Sequence, residues 1–69
     1  MIEYTGVDYD GAARKASADT QWTAAERAAL EKAISIRGER HGTGRIFRVG
    51  EMGFLMHYSA GGVNVGRCY

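Results

Sequence analysis

The side chains able to do chemistry are few: two histidines, His41 and His57, one cysteine, Cys68, and eight carboxylates spread along 69 residues. His57 lies inside the apolar run Phe54 to Ser59, with no carboxylate close in sequence to orient it, so it reads as a packing or interface residue rather than a general base. Cys68 follows Arg67, yet no histidine stands at a recognisable spacing, and a half-buried structural thiol is expected. Asp8-Tyr9-Asp10-Gly11 matches the opening of a calcium loop. Ala12, Ala13 and Asp19 then occupy the places where such a loop needs an oxygen ligand, a glycine and a glutamate. Gly42-Thr43-Gly44 is small enough to approach a phosphate, but it precedes a strand-like run and lacks the Lys-Ser/Thr ending of a P-loop. Cys68, His41 and His57 are too few for a structural zinc site. No catalytic residue, metal or cofactor is therefore expected, and the chain reads as non-enzymatic.

Charge is distributed unevenly. Residues 1–34 carry six acids against four bases, a net of −2, whereas residues 35–69 carry Arg37, Arg40, Arg45, Arg48 and Arg67 against Glu39 and Glu51, a net of +3. Every base in the second half is an arginine. Its planar, always-charged fork suits phosphate, carboxylate or interface recognition, whereas lysine is the commoner residue of a merely solvated surface. The competing reading is a solvated face of weak, scattered ion pairs.

The elements that must position these groups follow from length and pattern. A chain of 69 residues makes one small domain that buries roughly 60% of its unfolded surface, which leaves a marginal core and no room for a large enclosed site. One cysteine makes no internal disulfide, and no long apolar run or N-terminal signal pattern occurs, so a cytoplasmic chain without membrane contact is expected.

Residues 2–7 alternate in the manner of a strand, and Asp8-Tyr9-Asp10-Gly11 carries the Asp-Gly chemistry of a turn. Residues 12–22 are compatible with a short helix or an extended approach to Trp22. Thr23-Ala24-Ala25-Glu26 is a capping box, with Trp22 placed as a hydrophobic staple. A helix over 24–37 should follow, ended by Gly38, with Ala25, Ala29, Leu30, Ala33, Ile34 and Ile36 as its inner stripe and Arg27–Glu31 as a surface pair. Residues 38–44 read as a flexible connection. Strands over 45–49, 54–59 and 63–69, separated by turns at 50–53 and 60–62, make an antiparallel meander. The expected fold is α+β, one amphipathic helix packed on an antiparallel sheet of four to five strands, with the N-terminal strand at an edge or the centre.

In a two-faced sheet, Arg45 shares a side with Phe47 and Val49, and Arg48 shares the other with Ile46, so at least one arginine borders apolar surface. Interfaces are enriched in such mixtures of arginine and aromatic rings. Single-stranded nucleic-acid platforms use the same groups, although a net +3 is thin for a basic stripe.

The layout resembles the very small anti-CRISPR proteins of phages and mobile elements that act on type I systems. The resemblance runs through Thr23, the helix Ala24 to Ile36, His41-Gly42-Thr43, the strand Arg45-Ile46-Phe47-Arg48-Val49 and Cys68 near the C-terminus, and covers about residues 20–69. The sequence departs from the group in a more acidic helix, in Val65-Gly66-Arg67 where an aromatic residue is common, and in residues 8–22, which have no counterpart there. The resemblance implies an inhibitor that binds a protein subunit of a bacterial CRISPR surveillance complex and blocks target DNA recognition. Under it the contacts are Arg37, Arg40, Arg45, Arg48 and Arg67, with Tyr58 and Tyr69 as aromatic anchors. Two alternatives stay open: a small nucleic-acid-binding regulator using the same residues, and a structural or assembly protein held as a homodimer through its sheet edges.

Overall fold

A computed structural model describes residues 1–69. Two helices lie on one face of a five-stranded antiparallel sheet, in the order β1 (Ile2–Thr5), α1 (Tyr9–Ser17), α2 (Ala24–Ala33), β2 (Glu39–His41), β3 (Gly44–Val49), β4 (Met52–Ser59) and β5 (Gly62–Arg67). The sheet runs β1-β5-β4-β3-β2, so the last four strands form a meander and the N-terminal strand closes the far edge beside β5. This is the expected α+β class. No helix is long and apolar enough to cross a membrane.

Local chemistry accounts for where each element stops. β1 ends at Thr5, short of the expected 2–7, because Gly6 takes a φ of 71° and donates its N–H to the Gly61 carbonyl at 2.8 Å. The segment read as a turn, residues 8–11, is instead a helix start. Asp8 is its N-cap, with Oδ1 accepting from the Gly11 N–H at 2.8 Å. The following run of alanine, arginine and lysine carries the helix on, which resolves part of the open segment 12–22 as α1.

The capping box of α2 is present in both directions: the Thr23 hydroxyl accepts from the Glu26 N–H at 3.1 Å, and Glu26 Oε1 accepts from the Thr23 N–H at 2.8 Å. The helix is four residues shorter than expected. Beyond Ala33 the N–H groups of Ile34, Ser35 and Ile36 each turn to the carbonyl three residues back, and Ser35 Oγ donates to the Lys32 carbonyl. Two β-branched residues and a serine that competes for backbone favour this tightening. The connection over 38–44 also differs from expectation, since it contains the short strand β2. The turn at 50–53 contracts to Gly50-Glu51, with Gly50 at φ 60° and Met52 already paired to Val49. At the other end β5 stops at Arg67, and Cys68 and Tyr69 bond back to Gly53.

Alanine faces make the two-layer packing close. Ala12, Ala13 and Ala16 of α1, with Ala29, Leu30 and Ala33 of α2, meet Phe47, Phe54, Met56, Val63 and Val65 of the sheet in one core. α1 packs on β1 and β5, and α2 on β3 and β4. Ala25 and Ile36, expected in the inner stripe, are exposed, and Ile34 is half-buried at its end. Trp22 is buried edge-on to Phe54, with ring centroids 5.8 Å apart.

The Trp22 indole reaches a partner inside this core. Its Nε1–H donates to the Tyr4 hydroxyl at 2.9 Å, and that hydroxyl donates to Asp19 Oδ2 at 2.7 Å. The chain of bonds ties β1 to the α1–α2 connection. Burial first, and then the bond to Asp19, push the Tyr4 phenol from 10.0 up to about 12. The Gln21 backbone N–H, followed by the Tyr4 hydroxyl, holds the Asp19 carboxyl below the ordinary range.

Tyr4→Phe leaves the buried Trp22 N–H without an acceptor and should cost about 1–3 kcal/mol in urea unfolding. It should also raise the Asp19 pKa toward its ordinary value. Because the folded Tyr4 pKa lies above the unfolded one, its contribution is complete below pH 10 and disappears as pH rises through about 12; phenolate absorbance with parallel stability measurements checks this. Thr23→Ala removes one half of the capping box and should lower stability by about 1 kcal/mol, read as a fall in Tm with α1 unperturbed.

Candidate binding interface

Cross-strand register sorts the arginines by face. Ile2, Val65, Met56, Arg45 and Arg40 lie opposite one another in a single row across all five strands. The row begins under the helices as apolar residues and leaves them as two arginines. Its neighbour on the other face, Glu3, Asn64, His57, Gly44 and His41, carries polar side chains apart from the glycine and has no helix over it.

The five candidate arginines form two sets. Arg48 stands on the open face, with its Nε 3.7 Å from Glu39 Oε2 and its guanidinium 4.4 Å from the centre of the Tyr69 ring. Tyr69 and then Glu39 hold its pKa above the ordinary arginine value. Arg67 donates from NH1 to Glu26 Oε2 at 3.0 Å and from Nε to the Tyr69 carbonyl at 2.7 Å. These two arginines therefore serve the fold, fastening the C-terminus to α2 and to the open face. Arg37, Arg40 and Arg45 form no ion pair. Arg37 and Arg40 are exposed, and half-buried Arg45 makes one side-chain hydrogen bond, from NH1 to the Gly38 carbonyl at 3.3 Å.

The two tyrosine anchors separate in the same way. Tyr69 covers Gly53, where a Cβ would stand 2.5 Å from the tyrosine Cδ2, so only glycine lets the ring lie down. Tyr58 is 56% exposed on the helix face, and its ring centroid lies 4.5 Å from that of Tyr9. Tyr9 in turn meets Phe47 edge-on at 5.9 Å. Tyr9 is a functional candidate that sequence reasoning missed. The first turn of α1 places it, and the signal for that turn is Asp8 followed at three residues by Gly11 and an alanine run. Arg37, Arg40, Arg45, Tyr58 and Tyr9 thus border the β2–β3 end of the helix face, where Gly38, at φ 77° and packed against the Phe47 ring, turns the chain from α2 into β2.

Other candidates are dispersed. His41 is exposed on β2, His57 half-buried on the open face, and no group of three metal-binding side chains occurs. Cys68 is exposed rather than half-buried, since it follows the end of β5. The Arg27–Glu31 pair does not form, because Arg27 NH1 donates to the Trp22 carbonyl instead. An open groove of about 500 Å³ runs between α2 and the β3–β4 turn, lined by Ala25, Ala28, Lys32, Val49 and Met52 among others. No family model, curated protein or solved structure matches this chain.

The Thr23 backbone N–H first, and then Arg67, hold the Glu26 carboxyl below its ordinary value. Its folded pKa is depressed, so its stabilising effect is present above the ordinary glutamate range and disappears as pH falls through the lowered value. Arg67→Gln should move the Glu26 midpoint part of the way back up while leaving the capping bond intact, as followed by carboxyl NMR titration.

Proposed function

We propose that this chain is a non-enzymatic inhibitor that docks on a bacterial type I CRISPR surveillance complex through Arg37, Arg40, Arg45 and Tyr58 and blocks target DNA recognition. The observation that carries a binding role is the division of the arginines: two are consumed by internal partners, while three are left at one end of the sheet beside an exposed tyrosine. Arginine and tyrosine together form the side-chain set that dominates binding energy at protein interfaces. The identity of the complex rests on the resemblance through Thr23, the α2 helix, His41-Gly42-Thr43 and the strand over 45–49. An acidic protein surface is the matching contact, because a cluster of unpaired arginines steers encounter with it and suppresses basic partners. Arg48 and Arg67 leave the candidate contact set in this reading, since each already has a carboxylate, and so does Tyr69, which is held against Arg48 and Gly53.

The test is capture of a purified type I surveillance complex by the tagged protein after nuclease treatment. Arg40→Glu with Arg45→Glu should reduce affinity about a thousandfold, given roughly 2 kcal/mol for each arginine hot spot, while Arg48→Gln with Arg67→Gln should reduce it far less. Equal capture by both double variants would overturn the assignment of contacts. Retention of nucleic acid alone, lost at high salt, would replace the inhibitor with a nucleic-acid-binding regulator.

A further inference from the structure

The open edge of β2 has a specific chemistry. Its hairpin to β3 turns through two residues, Gly42 and Thr43, with His41 opposite Gly44. A pair that flanks a two-residue turn is the hydrogen-bonded kind, so the next pair, Arg40 with Arg45, is the non-hydrogen-bonded kind and Glu39 with Ile46 is bonded again. The N–H and C=O of Arg40 therefore point away from β3, outward along the free edge. All three residues of β2 are exposed. Arg40 and Arg45 are like charges directly opposite one another, an arrangement that destabilises a hairpin unless an anion stands close by. No carboxylate of the chain does so, since the two acids in ion pairs are Glu39, with Arg48, and Glu26, with Arg67.

We infer that β2 is an acceptor edge for one extended acidic segment of a partner protein, which adds as a sixth, antiparallel strand. The segment's backbone exchanges two hydrogen bonds with Arg40, and an Asp or Glu at that position lies beside the Arg40 guanidinium on the helix face. The flanking residues of the segment lie opposite Glu39 and His41 on the open face, so they are uncharged. The motif is an acid with an uncharged, strand-forming residue on each side of it, which an alternating acidic peptide offers in several registers. A second copy of this chain is a poor occupant: the only outward backbone groups within β2 belong to Arg40, and pairing two copies there sets Arg40 against Arg40 with an Arg45 behind each. This inference rests on the proposed binding role and specifies the chemistry of the partner's segment.

The probe is a blocked nine-residue peptide of alternating glutamate and valine, titrated into the isotope-labelled protein. Amide shifts concentrated at residues 39–41, with slowed exchange of the Arg40 N–H, are expected. Replacing every glutamate by glutamine, or methylating the amide nitrogen of every glutamate, should each weaken binding at least tenfold, and the protein variant Arg40→Glu should do the same with its spectrum otherwise unchanged. Binding that survives backbone methylation would reduce the effect to simple charge attraction and overturn strand addition. Absence of binding, shifts centred on the groove between α2 and the β3–β4 turn, or self-association that broadens β1 and β2 together would overturn it as well. Failure of the proposed inhibition reads differently: the peptide would still add at β2 while a type I complex was not captured. Capture of the complex that a saturating concentration of the peptide does not compete away would overturn strand addition and leave inhibition standing.

Discussion

The helix layer is narrower than the sheet it covers, and most features of this molecule trace to that mismatch. Two helices of nine and ten residues reach β1, β5, β4 and β3, whereas β2 is exposed along its whole length. Burial of apolar area drives the covered part, and the small alanine faces let the helix backbones approach the sheet closely enough to exclude water from Phe54, Met56, Val63 and Val65. Where the cover ends, residues in the same cross-strand row change from valine and methionine to arginine. The candidate interface is thus the margin of the core, set by how far the helices extend.

Fastening of the layers relies on few polar contacts, each at a junction. Tyr4, Asp19 and Trp22 join the first strand to the connection between the helices, and Arg67, Glu26 and the Tyr69 carbonyl join the last strand to the start of α2. The first set includes a buried indole N–H, whose loss of a partner is costly, while the second is exposed on the arginine side and modest in energy. Both sets join residues far apart in sequence, one on the edge strand β1 and one at the end of β5. The arginines near β2 have no such duty, and their freedom agrees with the uneven charge of the two halves.

Patterns confined to a few neighbouring residues are legible in the amino-acid sequence. The Thr23–Glu26 capping box, the alternation in 45–49 and 54–59 and the glycine-marked turns are decided by local backbone chemistry, so each of these elements forms, although the turn at 50–53 tightens to Gly50-Glu51 and β4 begins at Met52. Expectation and structure part where two local chemistries compete for the same residues. Asp8 with Gly11 suits a turn or a helix cap, and the alanine run behind it favours the cap; Ile34, Ser35 and Ile36 continue an apolar stripe, yet their backbone preferences shorten the helix. β2 is not legible because a three-residue polar strand carries no hydrophobic period and exists only by pairing with β3.

The sequence by itself determined the α+β class, the meander, the helix start at Thr23 and the concentration of arginine in the second half, because all of these follow from short-range pattern and composition. Tertiary structure alone decided which arginines stay unpaired. Glu26 and Arg67 are 41 residues apart, Arg48 meets Tyr69 only because the C-terminus folds back on Gly53, and Tyr9 reaches Tyr58 across both helices and most of the meander. Such contacts depend on register and layer order, which place distant side chains together through burial of the core rather than through any preference of their own segments.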